Sequence, residues 1–324
     1  MKMYSFNKNK KILLQILSDS NFHSGESLGN KIGITRAAVS KSIQGLQQLG
    51  FNIFAIKGKG YKLGAKLSLL DPNYFNVISS GRYFEILNVI DSTNNYIMEN
   101  ADKFKNKGDF CVAEFQSSGR GRRGNLWYSP FASGINLSVF WKFDRFVENY
   151  NRVSLVVGIS VAQVIKSLGI DIKLKWPNDL FVSGKKLGGI LVDAKGVFDD
   201  EIKLIIGIGI NVTTTSNAYH LKQNNISQPW TDLMSHLSDG FVNRNELIKD
   251  LVNALEKNFK SFEKDEFKLS ENWLKFDYLL DTVVNFKHKN KIHMGIFKGV
   301  NDYGKVIIQH SEGIKIYDEI IILK

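Results

Sequence analysis

The sequence predicts a multidomain α+β chain of three parts in series: a winged helix-turn-helix over residues 1–66, an α/β domain over 67–272 and a small β-barrel over 273–324. Three observations predict it. Between Lys8 and Leu49, apolar residues recur at helical spacing in three short runs. From Tyr83 to about Glu271, strand-like and helical stretches alternate, as in an α/β layer arrangement. From Trp273 onward the pattern becomes short alternating strands separated by turn residues.

The first part is read from its spacing. Ile12, Leu13, Ile16 and Leu17 mark a helix over 8–18. Ser24 is placed to cap a second helix, about Gly25 to Ile32, and Gly33 to make the turn. Thr35 can cap a third, running to about Leu49, with Val39, Ile43, Leu46 and Leu49 on its apolar face. Two short helices around a glycine turn form the helix-turn-helix pattern. Phe51 to Leu63 then reads as two strands about Lys57-Gly58-Lys59-Gly60, a basic wing. The second helix of such a pair enters the major groove, so Arg36, Ser40, Lys41 and Gln44 are the expected base readers. Arginine suits guanine and glutamine suits adenine. Lys57 and Lys59 are expected on phosphate.

Charge supports this. The chain of 324 residues carries +11, and residues 1–66 alone hold eleven Lys/Arg against two Asp/Glu. That leaves +2 for the rest, so the basicity belongs to the small first part and points to nucleic acid. With 43% hydrophobic and 23% charged residues, the composition is that of a soluble globular protein. No apolar run suits a membrane span and no secretory signal is expected, so the expected location is the cytoplasm. The single cysteine, Cys111, fits a reducing compartment and is read as a core residue. The histidines form no metal-ligand spacing, so no metal site is assigned.

In the central part, Glu114 to Pro130 reads EFQSSGRGRRGNLWYSP. Three arginines stand among three glycines directly after a strand-like run. Glycine permits close approach of the backbone, and arginine suits phosphate, so this loop is expected to close on a phosphate-bearing ligand. It is neither a Walker A loop nor the dinucleotide fingerprint. Asp91 to Tyr96 (DSTNNY) lies upstream. Lys175 to Asp179 (KWPND), Lys185 to Asp193 (KKLGGILVD) and Gly207 to Val212 (GIGINV) lie downstream. In this order the set resembles the catalytic domain of biotin–protein ligases. With the first part, nearly the whole chain resembles the bifunctional bacterial biotin ligase and biotin-operon repressor.

The resemblance implies a mixed central sheet like that of class II aminoacyl-tRNA synthetases. It implies that biotin and ATP, with Mg²⁺, give biotinyl-5′-adenylate, and that a lysine of biotin carboxyl carrier protein receives the biotin. Ser92, Thr93, Asn94 and Gln116 would bind biotin, although the first three would also serve as an ordinary helix N-cap. Arg120, Gly121 and Arg122 would order over biotin and the adenylate. Lys186 would touch the biotin carboxylate and the α-phosphate region and is the first choice for a catalytic residue. Arg123, Lys175, Asn178, Asn211 and Trp230 are assigned to the nucleotide, Trp230 as the aromatic over adenine. A partly buried anchor is the other reading of Trp230. Asp179 is a candidate for a metal contact or for orienting the incoming lysine; a turn after Pro-Asn would also use it. Trp127 and Phe131 are read as pocket wall or core. Asp193 stands where relatives often carry Glu, and Gly188 where they often carry Ala.

The chemistry agrees with the residues. A carboxylate attacking the α-phosphorus brings two anions together, so fixed cations matter more than acid–base groups. Arg120, Arg122, Arg123, Lys175 and Lys186 supply them. Leu67 to about Phe84 is read as a linker with an Asp71-Pro72 turn. The last part resembles the family's SH3-like cap, and no site residue is assigned there. By resemblance the adenylate is also the corepressor, and a homodimer presents two recognition helices to the biotin operator. Three alternatives stay open: a lipoate-type acyl ligase on the same fold, a biotin-sensing repressor without ligase activity, and a ligase whose N-terminal domain no longer regulates.

Overall fold

The computed structural model describes residues 6–79, 81–143, 150–198, 201–213, 228–238 and 240–323. The first part contains α1 (Lys8–Leu17), α2 (Gly25–Ile32) and α3 (Arg36–Gln48), followed by the antiparallel hairpin β1 (Ile53–Ile56) and β2 (Gly60–Leu63). Each helix starts on a side-chain cap. Asn7, Ser24 and Thr35 accept from the main-chain N–H of Lys10, Ser27 and Ala38. Gly33 ends α2 with φ 76°, a left-handed conformation that glycine adopts without steric cost. Leu13, Leu14, Leu17, Leu28, Val39, Ile43 and Leu46 close the core between the helices, with Phe51, Ile53 and Leu63 from the wing. Phe131 and Ala132, from the central part, complete this cluster. The Phe131 ring lies 4.1 Å from that of Phe6 and 5.7 Å from that of Phe51. Phe131 is therefore core, and it belongs to the seam between the two parts.

The stretch read as a linker contains a helix, α4 (Pro72–Ile78). Asp71 is its N-cap, accepting from Asn73 N–H, and Pro72 stands at its first position, where a missing N–H costs nothing. The Asp-Pro pair is a helix start, not a plain turn.

Next come β3 (Phe84–Leu87), α5 (Thr93–Glu99), β4 (Phe110–Ala113), the hairpin β5 (Gln116–Arg120) and β6 (Leu126–Ser129), β7 (Gly134–Phe143), α6 (Tyr150–Ser167), β8 (Ile172–Lys175), β9 (Asp179–Val182), β10 (Lys185–Phe198), β11 (Glu201–Asn211) and α7 (Arg244–Glu263). Seven strands form one sheet in the order β3-β4-β7-β11-β10-β9-β8. Only the β3–β4 pairing is parallel, so the sheet is mixed. The ladder of β3 with β4 runs in the register Phe84↔Phe110 to Leu87↔Ala113. Alternate residues of the strands face opposite layers. Val112, Val139, Trp141, Leu204 and Ile206 pack in the cluster containing α6 and α7, whereas Cys111, Phe140 and Ile205 pack with Ile97 of α5. Cys111 is thus a core residue, and burial pushes its thiol pKa far up.

The last part has α8 (Leu269–Leu274), β12 (Val283–His288), β13 (Lys291–Val300), β14 (Val306–His310), β15 (Gly313–Tyr317) and β16 (Ile321–Ile322), in an antiparallel sheet ordered β15-β14-β13-β12-β16. The chain entering it covers the edge of the central sheet. Leu174 N–H donates to Phe276 O at 2.7 Å, and Tyr278 N–H to Leu174 O at 2.9 Å.

A buried ion pair ties the connection between the first two parts. Arg244, the first residue of α7, donates from Nη1 to Glu114 Oε2 at 2.6 Å and to Ser68 O at 2.9 Å, and from Nε to Gly134 O at 3.0 Å. Glu114 Oε1 accepts from Leu70 N–H at 2.7 Å. Removing one partner leaves the other charge buried and unpaired. Arg244→Ala is expected to cost about 3–5 kcal/mol, read as a lower urea midpoint by tryptophan fluorescence.

Asp277 accepts from Trp273 Nε1 and Leu279 N–H at the entry to the last part. Burial outweighs these bonds and pushes its carboxyl up from 3.8 to about 6. The fold binds this proton more tightly than the unfolded chain does. Stability from this group is therefore present at low pH and falls as pH rises between about 4 and 6. Urea midpoints across that window should decline less steeply in Asp277→Ser than in wild type.

Candidate active site

The pocket opens where the hairpin β5–β6 crosses the strand ends of the central sheet. Its volume is about 310 Å³. The segment read as a loop is mostly ordered hairpin, with the tip Arg122–Gly124 in a tight 3₁₀ turn. Arg123 has φ 57° there and presents its side chain beside Glu319, 3.9 Å away.

One half of the pocket is neutral and polar. Ser92 occupies the N-cap position of α5 yet makes no side-chain cap bond, so the plain capping reading does not account for it. Thr93 N–H donates to Gln116 Oε1 at 2.8 Å, and Gln116 Nε2 donates to Asn136 Oδ1 at 3.3 Å. Asn136 also accepts from Trp127 Nε1 at 3.3 Å and donates to Ala113 O at 3.1 Å. Ser138 Oγ lies 2.5 Å from Asn94 Oδ1 and 2.7 Å from Thr93 Oγ1. Thr93, Asn94, Gln116, Asn136 and Ser138 are all buried, and each has a partner. The floor is glycine because its neighbours stand too close for a side chain. A Cβ on Gly207 would meet Asn94 Oδ1 at 2.6 Å, and one on Gly209 would meet the Trp127 ring at 2.6 Å.

The other half is cationic. Lys186 Nζ pairs with Asp179 Oδ1 at 2.6 Å, with both side chains about a quarter exposed. Arg122 Nη1 donates to Asn178 Oδ1 at 3.3 Å, and Asn178 Nδ2 to Ile190 O at 2.9 Å. Burial, and then the neighbouring Arg123 cation, hold the Arg122 guanidinium below its ordinary pKa. An anion placed there would offset both effects. Lys175 lies over the Phe181 ring at 5.5 Å. Among the described residues, no group of three or more His, Cys, Asp or Glu could hold a metal ion.

Most of the expected residues meet in this pocket: Ser92, Thr93, Asn94, Gln116, Arg120, Gly121, Arg122, Arg123, Lys175, Asn178, Asp179 and Lys186 all line it. Asn211 and Trp230 do not line it. Asn211 Nδ2 donates to Thr231 O at 3.1 Å, and Trp230 is half-buried with its main chain bridged to Lys186. Residues 214–227, which precede Trp230, lie outside the described residues. Sequence reasoning missed Asn136, Gln228 and Ile320–Ile322, which also line the pocket. Asn136 and Ser138, two apart in an otherwise apolar strand, were a usable signal of a polar patch on one face. The Ile320–Ile322 run carried none, because an apolar strand end reads as core. In the first part, Arg36, Lys41, Gln44, Lys57 and Lys59 are exposed and Ser40 is half-buried, so α3 and the wing present the expected readers.

Fold and pocket together define an acyl–protein ligase joined to a helix-turn-helix domain. Residues 86–212 match the biotin/lipoate A/B protein ligase family, and residues 8–62 match an HTH domain. The bifunctional ligase/repressor BirA of Salmonella typhimurium is 35% identical over 305 residues, covering 94% of this chain and 93% of the relative. The chain belongs to the bifunctional biotin ligase/repressor family. The Bacillus subtilis BirA is 27% identical over 94% of this chain and 95% of its own length. The biotin protein ligase from Aquifex aeolicus, solved in complex with biotin and ATP, superposes with a TM-score of 0.63 at 27% identity, covering 75% of this chain and 99% of that one.

The close floor predicts a test. Gly209→Ala pushes its new methyl into the Trp127 ring. It should lower kcat/KM for biotin about tenfold or more, as overpacking costs about 1–3 kcal/mol, while the melting temperature falls only a few degrees.

Proposed function

We propose that the chain joins biotin to a lysine of a biotin carboxyl carrier protein through biotinyl-5′-adenylate, and represses transcription from a biotin operator with that adenylate as corepressor. The observation that carries the reading is the division of one pocket into a neutral hydrogen-bonding half and a cationic half. A ureido ring carries no charge and needs donors and acceptors, which Ser92, Thr93, Asn94 and Gln116 supply. A carboxylate meeting an α-phosphate needs fixed positive charge, which Arg120, Arg122 and Lys186 supply.

In the first step a biotin carboxylate oxygen attacks the α-phosphorus of ATP and pyrophosphate leaves. Lys186 stands where both anions converge. Asp179 holds its ammonium in place. Arg123, Lys175 and Asn178 hold the nucleotide; the Trp230 segment, which Asn211 bonds at Thr231 O, backs Lys186. Mg²⁺ would enter with the triphosphate, and Asp179 is the lining carboxylate that would help to hold it. Bound there, it neutralises charge and makes pyrophosphate a better leaving group. In the second step the lysine amine attacks the mixed anhydride and AMP leaves. The tip of the β5–β6 hairpin shields the anhydride from water.

The three parts divide at about residues 66 and 272. The last is read as an SH3-like barrel and the central sheet as a relative of class II aminoacyl-tRNA synthetases. On DNA, Arg36, Ser40, Lys41 and Gln44 face base edges, and Lys57 and Lys59 face phosphate. Two copies, dimerised with adenylate bound, place their α3 helices on a two-fold operator in the cytoplasm.

ATP–pyrophosphate exchange tests the ligase. Biotin should support it and lipoate should not, and Lys186→Ala should lower the rate about 10²-fold or more. No biotin-dependent exchange would sink the ligase reading and leave a ligand-sensing DNA-binding protein.

A further inference from the structure

We propose that Asp193 is a positioning residue for the biotin half of the pocket, its carboxylate tying Asn94 beneath that half to Arg120 of the hairpin above it. The inference rests on the reading of that half as the biotin site. Asp193 lies on β10 and does not itself line the pocket; it acts through two residues that do. Its Oδ2 accepts from Asn94 Nδ2 at 3.0 Å. Arg120 Nη2 stands 3.3 Å from Oδ2 and 3.4 Å from Oδ1. Arg120 Nη1 donates to Asn95 Oδ1 at 2.7 Å, so its guanidinium is forked between α5 and β10.

A carboxylate can only accept hydrogen bonds. It therefore decides which end of the Asn94 amide faces β10. The Nδ2 end must face Asp193, which leaves Oδ1 for the Ser138 hydroxyl 2.5 Å away. A flipped amide would put oxygen against oxygen at about the same separation. The absence of a side chain on Gly207 gives Asn94 the room to sit there. One orientation of Asn94 presents one fixed set of donor and acceptor to a neutral ring. The same carboxylate offsets the charge of Arg120 and holds the stem of the hairpin toward α5. An amide at position 193 would lose both effects: it could pair with either orientation of Asn94 and would offer Arg120 no charge.

The test is ATP–pyrophosphate exchange with separate KM values for biotin and ATP. Asp193→Asn should raise the biotin KM about tenfold, the loss anticipated for hydrogen bonds to a charged group. Its kcat and ATP KM should move less than about threefold, a split that general loosening of the fold would not give. Asp193→Glu keeps the carboxylate and should hold the biotin KM within about threefold of wild type. In an Asn94→Ala background, the effect of Asp193→Asn should shrink by about threefold or more. Asp193→Ser gives the same comparison if Asp193→Asn does not fold. The proposal is overturned by an unchanged biotin KM in the neutral variants, by Asp193→Glu being as impaired as Asp193→Asn, or by full additivity with Asn94→Ala. Wild type without biotin-dependent exchange is a different failure: it removes the biotin reading, and this inference with it.

Discussion

The ion pair between Glu114 and Arg244 is the constraint on which the arrangement of the parts depends. It is buried on both sides, and it gathers four separate pieces of chain. Arg244 begins α7 and reaches Ser68 of the connection and Gly134 at the start of β7; Glu114 holds the N–H of Leu70. Immediately after Glu114 come Phe115, packed against the first part's core, and Gln116, which lines the pocket. At the far end of the same hairpin, Ser129 is followed by Pro130 and then Phe131, also in that core. Both stems of the hairpin over the pocket are thus anchored at the seam with the winged helix. Two charges taken from water are costly unless their other bonds are filled. Here main-chain groups of the segments to be held fill the bonds of Nε, Nη1 and the Glu114 carboxylate, leaving Arg244 Nη2 without a protein partner among the described residues, so the interaction selects one geometry of the connection.

Much of this was legible because it rests on local rules. The caps at Ser24 and Thr35, the turn at Gly33 and the basic wing are short-range signals, and the helices and strands of the first part lie within a residue or two of expectation. The pocket was legible through residue types: arginines among glycines, and small polar residues at a helix start. What escaped depends on distant partners. Asp71-Pro72 reads equally as a turn or a helix start; the chain after it decides, through Phe75, which is buried against the central core. Ile320–Ile322 belong to the last part and reach the pocket only because the last sheet docks beside the hairpin tip, where Arg123 meets Glu319. Nothing local in an apolar tripeptide reports that. Trp230 shows the converse. Its residue type suggested a stacking platform, yet it is the main chain that reaches the site, by bridging Lys186.

The two halves of the pocket obey opposite electrostatic rules, and the sheet keeps them apart. The neutral half is built from the first turn of α5 and the buried polar pair Asn136 and Ser138 on β7, where Thr93, Asn94, Gln116, Asn136 and Ser138 are hydrogen-bonded and the formal charges of Asp193 and Arg120 stand at the edge. The cationic half is built from β9, β10 and the hairpin tip, where Lys186 and Arg122 are partly exposed and only Asp179 offsets them from within the lining. A cation moved into the first half would bind the wrong end of a substrate that carries both a neutral ring and a carboxylate. A neutral network in the second would leave two approaching anions unshielded. Gly207 and Gly209 of β11 let Asn94 and Trp127 lie directly on the strand. A substrate with a neutral ring and a reacting carboxylate would find the two held by different elements packed on one sheet, with the separation of the two halves set by the fold.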